Sequence, residues 1–522
     1  SLEKENMSKK LNKNLYRALL IVTFVALNGL IIWGISSVLA YLNTGADRST
    51  MLHAEVINSK IYTPKINWDI SAVEGRPMEK PTLQEIEDNY LKSWYVRNNA
   101  YKTNNTHGIA DFYTDSARVN LHKIIQLNKE QNISIEATTL HHSPKIEFYS
   151  ADGQLVVLTD KEVMEYQKVY QHEKLVAIQE DTSAYQVMLL LEDGFWRIRH
   201  LVKIPSTIKK DSVQASSEFK VKGKKLYKNG KPFIVKGINY YPQDSPWDMF
   251  GDDFDTLVIQ KDFQLIKNQG LNSIRIFIQY EDFGKAEVKP EKLKKLKKVL
   301  DLAEENKLKV VVTLFDFYGD YSVLDWTLTH RHAEAIVSAV KNHPAILAWD
   351  LKNEPDLDFE SRGKENVLAW LSHLITQIKA VDQQHLITVG WSTPEQAHLL
   401  SDELDLVSFH YYKDLSLLEN DYSALNKKVD KPLVLQEFGA TSYDGIWNLW
   451  SNSEEDQAAY HKKMQAFLKE KELAFMSWTL YDFKKIPTDV VGRLPWRKAR
   501  QKHFGFINSR GNLKLSSNYM SY

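Results

Sequence analysis

The chain has 522 residues, a formal net charge of zero and no cysteine. A chain of this length exceeds one ordinary hydrophobic core, so two or three domains are expected. The balanced charge gives no overall field that would attract nucleic acid, and no nucleic-acid partner is predicted. The absence of cysteine excludes disulfides, thiol catalysis and cysteine-ligated zinc.

The first predicted element is a transmembrane helix over residues 18–41. No charged residue occurs from residue 18 to residue 46, and about 20 apolar residues in a helix can span a bilayer. Lysine and arginine are frequent in residues 1–17, which are therefore predicted to be cytoplasmic. A single-pass protein of the cytoplasmic (inner) membrane follows, with later residues on the extracytoplasmic side. A cleaved signal peptide is the alternative, but its apolar region usually covers only about 7–15 residues.

The region between this helix and the next change of pattern is predicted to contain a stalk, a domain and a linker. Residues 42–81, with three prolines and no clear period, are predicted to be a juxtamembrane stalk. Residues 82–204 place helical patterns before strand patterns, which predicts a small α+β domain. This order resembles the nuclear transport factor 2-like (NTF2-like) superfamily, and we interpret the domain as a packing or partner-docking module. Residues 205–218 are predicted to be a linker.

No convergent set of histidine and aspartate side chains stands out in residues 82–204. His141 and His142 are adjacent in the sequence, and adjacent residues of a strand face opposite sides. The pair is therefore not expected to bind one metal ion.

Residues 219–522 alternate short apolar strands with amphipathic helices, for example a helix over Lys292–Asn306. This alternation predicts a (β/α)8 TIM barrel and an overall α/β class, in which the barrel follows the α+β domain and the transmembrane helix. No eighth helix is evident, and Asp482–Arg500 is predicted to be a long loop. The eight predicted strands are Ile234–Asn239, Ser273–Phe277, Val310–Leu314, Ile346–Asp350, His385–Val389, Leu406–Phe409, Leu433–Gln436 and Phe475–Thr479.

Two glutamates follow predicted barrel strands, at the end of the barrel where active sites lie. Glu354 stands in an Asn-Glu-Pro motif after strand four, and Glu437 stands in a Gln-Glu-Phe-Gly motif after strand seven. Burying a lone carboxylate is costly unless it is paired or functional. Glycoside hydrolysis needs such a pair, because one carboxyl protonates the leaving oxygen while the other attacks the anomeric carbon.

These motifs resemble those of clan A glycoside hydrolases, most nearly the cellulase-like glycoside hydrolase family 5, over about residues 219–510. The resemblance implies that Glu354 is the acid/base and Glu437 the nucleophile of a retaining mechanism. It also implies that Asn353 binds the 2-hydroxyl of the sugar being cleaved. No metal and no organic cofactor is expected.

Four further residues match supporting positions of the clan. Arg275 on strand two matches the arginine that holds the nucleophile ionised. His410 and Tyr412, after strand six, match a His-x-Tyr pattern near the nucleophile, and Trp478 on strand eight matches the platform under the reacting sugar. A structural ion pair, a buried core histidine and core filling are the alternatives. The order of these residues along the barrel strands favours the site.

The segment after strand three departs from the cellulase pattern. Many cellulase-type members have a histidine there, whereas this chain has Leu-Phe-Asp-Phe-Tyr-Gly from residue 314. The choice between glucan and mannan therefore stays open. Further candidate sugar-binding residues, for each of which packing is the alternative, are Asn239, Trp247, Asp316, Tyr318, Trp326, Trp391 and Trp447.

The sequence thus predicts a membrane-anchored retaining β-glycoside hydrolase, endo-β-glucanase-like, with its catalytic domain outside the cytoplasm. Its expected substrate is a β-linked polysaccharide or oligosaccharide, and its location suggests a polysaccharide synthase as a partner. A β-mannanase or a transglycosylase on the same barrel is an alternative. So is a non-catalytic sugar-binding or assembly subunit of a polysaccharide synthesis or export complex, although the complete set of site residues argues against it.

Overall fold

The computed structural model describes residues 19–31, 62–205, 217–444, 452–491 and 495–522. Within the predicted membrane span 18–41, residues 19–31 are helical, and the other residues of the span lie outside the described ranges. In those ranges no helix is both long enough and apolar enough to cross a membrane. Residues 206–216 of the predicted linker also lie outside the described ranges.

In the N-terminal region, helices precede a strongly paired antiparallel sheet. The helices are Lys80–Thr103, Ile109–Phe112 and Asp115–Glu130, and the strands are Ile133–His142, Pro144–Tyr149, Leu155–Gln171, Lys174–Glu192 and Phe195–Ile204. The first helix places Ile86, Tyr90 and Trp94 on one face at four-residue spacing, and all three are fully buried. This face packs in the core between the helices and the sheet.

Part of the predicted stalk 42–81 belongs to the same sheet, so the prediction of a stalk is wrong for residues 62–81. The short strands Lys65–Ile66 and Glu74–Gly75 pair in parallel with Ile133–His142 and Pro144–Tyr149. These pairs satisfy backbone groups along the outer strands of the sheet, which would otherwise be exposed edges. Proline content alone did not reveal this pairing.

Eight parallel strands close into a barrel in chain order, which confirms the (β/α)8 prediction. The strands, called barrel strands one to eight below, are Lys236–Asn239, Ser273–Gln279, Lys309–Asp316, Ile346–Asn353, Leu386–Trp391, Val407–Tyr411, Leu433–Phe438 and Ala474–Ser477. The longer helices around them are Thr256–Asn268, Pro290–Glu305, Trp326–Val340, Lys364–Val381, Leu418–Lys428 and Glu454–Lys471. Each predicted strand overlaps an observed one.

Both ends of the barrel carry additional elements. A three-stranded sheet of Phe219–Lys222, Lys225–Lys228 and Lys231–Pro232 precedes barrel strand one, and Phe219 and Leu226 pack with the bottom layer of the barrel. After strand eight, the predicted loop Asp482–Arg500 contains two short helices, Thr488–Val491 and Pro495–Gln501.

The N-terminal sheet packs directly on two barrel helices. Tyr166 of the sheet packs against Trp326 with ring centroids 4.1 Å apart and the ring planes tilted by 41°, and Tyr166 is part of the barrel's buried core. Lys168 Nζ also donates to Asn366 Oδ1 at 3.0 Å. These contacts fix the sheet against the outer wall of the barrel.

A buried carboxyl gives the barrel a pH-dependent stability. Asp262, on helix Thr256–Asn268, accepts hydrogen bonds from Tyr240 after strand one and Tyr481 after strand eight. Burial raises the pKa of Asp262 to about 6, and the two hydroxyl bonds offset only part of that rise. The folded state therefore binds a proton more tightly than the unfolded chain, and stability falls as pH rises from about 4 to about 6.

We expect Asp262→Asn to remove this contribution, because asparagine stays neutral and can keep both tyrosine contacts. Between pH 4 and pH 7, the wild type should lose roughly 2 kcal/mol more unfolding free energy than the variant. Urea unfolding at both pH values measures the difference, with the exposed Asp402→Asn as control. An unchanged pH slope in Asp262→Asn would contradict this origin.

Candidate active site

The two predicted glutamates meet at one rim of the barrel. Glu354 directly follows barrel strand four, and Glu437 lies within barrel strand seven. Three atoms lie within 4.8 Å of one another: a carboxylate oxygen of Glu354, a carboxylate oxygen of Glu437 and a ring nitrogen of His410. The pair therefore faces a common space small enough for one sugar ring.

Glu437 is held by two donors. The Tyr412 hydroxyl donates to Oε1 at 2.6 Å, and Arg275 Nη1 lies 3.3 Å from Oε2. The pKa of the Tyr412 phenol is raised well above its ordinary value. Burial of the hydroxyl is the larger cause, and the neighbouring Glu437 carboxylate is the second. Tyr412 therefore remains a proton donor, and each carboxylate oxygen of Glu437 has its own donor.

Arg275 is the fully buried centre of the polar network beneath the site. Its Nε and Nη2 atoms donate to Asp350 Oδ2 at 2.9 and 2.7 Å. Since the guanidinium stays charged, the fully buried Asp350 and the mostly buried Glu437 balance it. Its other partners are the side-chain oxygens of Asn239, Thr313 and Asn353.

His410 connects the two glutamates. Its Nδ1 lies 3.0 Å from Glu354 Oε1 and 3.7 Å from Glu437 Oε2, and its Nε2 lies 3.3 Å from Gln436 Oε1. Burial lowers the pKa of His410, but the Glu437 and Glu354 carboxylates outweigh burial and leave the pKa above its ordinary value. The two carboxylates therefore favour the protonated form of the imidazole that lies between them.

A cavity of about 330 Å³ opens above these groups and is called the reaction cavity. Trp478, which is 5% exposed, lies in its wall with ring centroids 5.6 Å from Trp247. Flat aromatic faces of this kind suit the apolar face of a sugar. Its acidic and amide lining residues are Asp316, Asn353, Glu354, Glu437 and Gln501.

Three lining residues of the reaction cavity have a left-handed backbone. Glu354, Trp247 and Phe317 have φ angles of 49°, 58° and 59°, although residues with a side chain beyond Cβ rarely adopt this region. Such positions cost of order 1–3 kcal/mol each and concentrate at functional sites. At Glu354 the Gly390 carbonyl accepts the backbone N–H at 2.7 Å, which ties this main-chain position to barrel strand five.

The reaction cavity brings together the predicted residues Arg275, Asn353, Glu354, His410, Tyr412, Glu437 and Trp478, either in its lining or directly behind it. Trp247 and Asp316 also line it. Trp447 lies outside the described residues.

Asn239, a candidate for sugar contact with packing as the alternative, takes a supporting role in the structure. Its side chain is fully buried, and Nδ2 donates to the main-chain oxygen of Gln436 at 2.9 Å and approaches those of Met476 and Ser477. Its Oδ1 accepts from Arg275 at 3.1 Å. Asn239 thus ties strand one to strands seven and eight and orients Arg275, which leaves no atom for a sugar.

Three aromatic candidates also belong to the core. Trp391 is fully buried and packs near Phe359, away from the reaction cavity. Tyr318 stacks on Trp370 with ring centroids 5.0 Å apart, and Trp326 stacks on His373 at 4.9 Å. Their predicted sugar contacts are therefore wrong, because barrel helices and loops cover all three rings.

The sequence reasoning missed the residues that support Arg275 and His410. Asp350 Oδ2 accepts from Thr313, and Asp350 Oδ1 accepts from the Gly390 N–H at 3.0 Å. A Cβ atom at Gly390 would lie 2.3 Å from Gln436 Oε1 and 3.0 Å from Arg275 Nη2. The role of Asp350 could have been inferred from the sequence, because it is a charged residue inside the apolar strand four. Nothing in the sequence indicated the role of Gly390.

The N-terminal domain contains a second buried polar cluster that the sequence did not predict. His142 Nδ1 and Asp160 Oδ2 are 2.7 Å apart, both side chains are fully buried, and Tyr90 donates to the same carboxylate at 2.9 Å. Histidine and aspartate do converge here, contrary to expectation. His141 faces Ser143 instead, so the opposite orientation of the two histidines is confirmed.

Glu354, His410 and Glu437 also offer three potential metal-ligand atoms. The Glu437 carboxylate already accepts from the Tyr412 hydroxyl and pairs with the Arg275 cation. A cation between the glutamates would be repelled by that guanidinium. The donor set therefore suits proton transfer and nucleophilic attack better than binding of a divalent ion.

Comparison with known proteins agrees with this geometry. The family model for cellulase (glycosyl hydrolase family 5) matches residues 226–484. The β-glucuronidase of Mus musculus is 28% identical over 305 residues, covering 52% of this chain and 42% of that protein. The mannan endo-1,4-β-mannosidase A of Emericella nidulans is 25% identical over 285 residues, covering 43% of this chain and 73% of that protein.

One of the similar solved structures is an exo-β-1,4-mannosidase from Opitutaceae bacterium strain TAV5. It shares 20% identity with a TM-score of 0.46, covering 55% of this chain and 58% of that one. The present chain spans less than half the length of the mouse β-glucuronidase. The cellulase family model thus matches the residues that form the closed barrel with two facing glutamates at one rim.

Proposed function

We propose that the protein is a retaining β-glycosidase in which Glu354 is the acid/base and Glu437 the nucleophile. The main support is the short separation of the two carboxylates: one oxygen of Glu354 and one oxygen of Glu437 lie within 4.8 Å of each other. Retaining enzymes place their carboxyl groups about 5–5.5 Å apart, whereas inverting enzymes leave about 6.5–9.5 Å for a water molecule.

The surrounding groups support these separate roles. Arg275 and Tyr412 both donate to Glu437, and these contacts orient its carboxylate for attack on the anomeric carbon. Glu354 gives its proton to the leaving oxygen, and the C–O bond to the leaving sugar breaks as Glu437 forms the new ester. Glu354 then takes a proton from water, which displaces Glu437 and releases the sugar.

We propose an endo-acting enzyme on a β-linked polysaccharide of manno- or gluco-configuration. The similarity to a mannan endo-1,4-β-mannosidase over 73% of that protein favours a mannan substrate over the expected glucan. The segment after strand three also differs from that of cellulases, because it lacks the histidine that many of them have there. Instead, Asp316 stands at the end of strand three and lines the reaction cavity.

Product analysis tests the mechanism directly. The full chain is incubated with defined β-mannan and β-glucan oligomers, and the first-formed anomer is followed by proton NMR. We expect the β-anomer, which later mutarotates. An initial α-anomer would contradict the retaining mechanism. Products longer than the substrate would identify transglycosylation, because an acceptor sugar then replaces water.

We expect Tyr412→Phe to lower kcat/KM by about tenfold to 100-fold, since a hydrogen bond to a charged group contributes roughly 1.5–3 kcal/mol. The variant keeps the ring and loses only the hydroxyl that donates to Glu437. Steady-state kinetics on the same oligomer measures the change. Tyr411→Phe is the matched control, because its hydroxyl contacts Asp414 and Asp421 away from the glutamates. An equal loss in both variants would contradict the role.

We also propose that residues 18–41 anchor the enzyme in the cytoplasmic membrane, with the barrel outside and a polysaccharide synthase nearby. The uncharged run from residue 18 to residue 46 supports the anchor. The order of helices before an antiparallel sheet supports the NTF2-like docking domain expected at residues 82–204. Membrane fractionation and external protease treatment of whole cells test the anchor, and release into the soluble fraction would contradict it.

The rival function is a non-catalytic sugar-binding subunit. The network around Glu437 and His410 disfavours it, because a binding protein has no need for two acids sharing one small space. A pure chain that binds oligomers but cleaves none of the β-mannans or β-glucans would support this rival.

A further inference from the structure

A second cavity adjoins the reaction cavity. It has a volume of about 690 Å³ and is called the side cavity. The residues that line both cavities are Tyr412, Val490, Val491, Gln501 and Phe504. Because the two cavities share these walls, a saccharide with its scissile unit beside the glutamates can extend into the side cavity.

The side cavity has a basic wall. Arg497 and Arg500 line it, both exposed to solvent. In the part of the chain that the structure describes, neither guanidinium forms an ion pair with a carboxylate. The acidic residue of the lining, Asp456, is occupied by its helix cap, where it accepts from the Ser453 N–H at 2.9 Å and the Ser453 hydroxyl at 3.1 Å.

The reaction cavity has the opposite character. Asp316, Glu354 and Glu437 line it, and Arg275 behind Glu437 is already bonded to Asp350. A carboxylate on the sugar unit at the scissile bond would face three acidic side chains. Residues 484–503, by contrast, contain seven lysines and arginines and one aspartate, although the whole chain has zero net charge. Charge is therefore separated between two connected cavities.

We propose that the substrate is an acidic β-linked saccharide, with a neutral sugar in the reaction cavity and an anionic sugar in the side cavity. Arg497 and Arg500 bind its carboxylate or sulfate group, for which paired guanidinium donors are suited. This inference rests on the proposed glycosidase function and specifies its substrate class.

Matched oligosaccharides test the inference with the full chain. A neutral β-linked oligomer is compared with the same oligomer carrying one uronate, or one sulfate ester, away from the scissile bond. We expect kcat/KM for the anionic oligomers to exceed that for the neutral one by about tenfold at low salt. The ratio should fall toward one as ionic strength rises, because solvent-exposed charges are screened.

The double variant Arg497→Ala/Arg500→Ala should reduce this anionic-to-neutral ratio by about tenfold. Lys485→Ala is the matched control, since Lys485 is exposed in the same basic segment and lines neither cavity. Its ratio should remain that of the wild type. Preference for uronate alone identifies a carboxylate as the ligand, and preference for both oligomers identifies a general anion site.

Cleavage by the wild type and oligosaccharide binding to the Glu437→Gln variant are measured separately, so that a failure of the inference can be told from a failure of the proposed function. If the wild type cleaves neutral and anionic oligomers equally well, the inference is wrong and the glycosidase function stands. If no oligomer is cleaved, but calorimetry shows arginine-dependent binding of the anionic ones, the proposed function fails and only the anion-binding role of Arg497 and Arg500 stands. Equal binding of neutral and anionic oligomers would overturn the inference.

Discussion

Glu437→Gln should abolish hydrolysis, with kcat lowered on the order of 10⁵-fold, a loss comparable to removing a catalytic nucleophile. An amide cannot form the ester with the anomeric carbon. Its size matches that of the carboxylate, and its oxygen can face Arg275 while its NH₂ group donates to the Tyr412 oxygen. Folding and oligosaccharide binding should therefore be retained, as measured by circular dichroism and calorimetry.

Glu360→Gln is the control for this change, because Glu360 is an exposed glutamate in the segment after barrel strand four. It should keep the wild-type rate. A Glu437→Gln enzyme that retains more than a few per cent of activity would refute Glu437 as the nucleophile. Loss of the circular dichroism signal would instead show a structural role, and Glu437→Asp would then report on catalysis in a folded protein.

Azide provides a second readout of the same role. Glu437→Ala opens space beneath the sugar, and azide there can attack an activated β-aryl glycoside directly. One displacement inverts the anomeric carbon, so the expected product is an α-glycosyl azide. A β-glycosyl azide would mean that the nucleophile is still present and that Glu437 acts elsewhere.

The sequence predicted the barrel and its glutamates because both depend on local patterns. Each barrel strand is a short apolar run, and parallel strands in a closed barrel bring their C-terminal ends to one rim. Glu354 and Glu437 are 83 residues apart in the chain. Their meeting follows from topology alone once strands four and seven are located.

The same patterns could not separate site residues from supporting residues. Asn239 was a candidate sugar ligand, with packing as the alternative. Its actual role depends on register, since Asn239 pairs with Arg275 across strands one and two. Gly390 is equally register-dependent, because only the fold places Gln436 Oε1 where its Cβ would be. The contact between His142 and Asp160 likewise depends on strand pairing, because Asp160 pairs with Pro144 just after His142. The spacing of the two residues in the sequence does not reveal this pairing.

Glu354→Ala should distinguish the acid/base from the nucleophile. General acid catalysis contributes about 10²–10⁴-fold, and we expect a loss of that size on an oligosaccharide, whose leaving oxygen needs a proton. An aryl glycoside with a very acidic phenol needs little protonation. Its first step should remain fast, so the glycosyl-enzyme accumulates and a burst of phenol precedes slow turnover.

Azide should then accelerate the slow step of Glu354→Ala, because an anionic nucleophile needs no base to activate it. Glu437 has already inverted the anomeric carbon once, so the second displacement gives a β-glycosyl azide, opposite to the product expected from Glu437→Ala. His410 contacts Glu354 at 3.0 Å and Glu437 at 3.7 Å, so the two carboxylates share one environment and differ chiefly in their donors. Identical azide anomers from the two variants would show that this difference does not assign their roles.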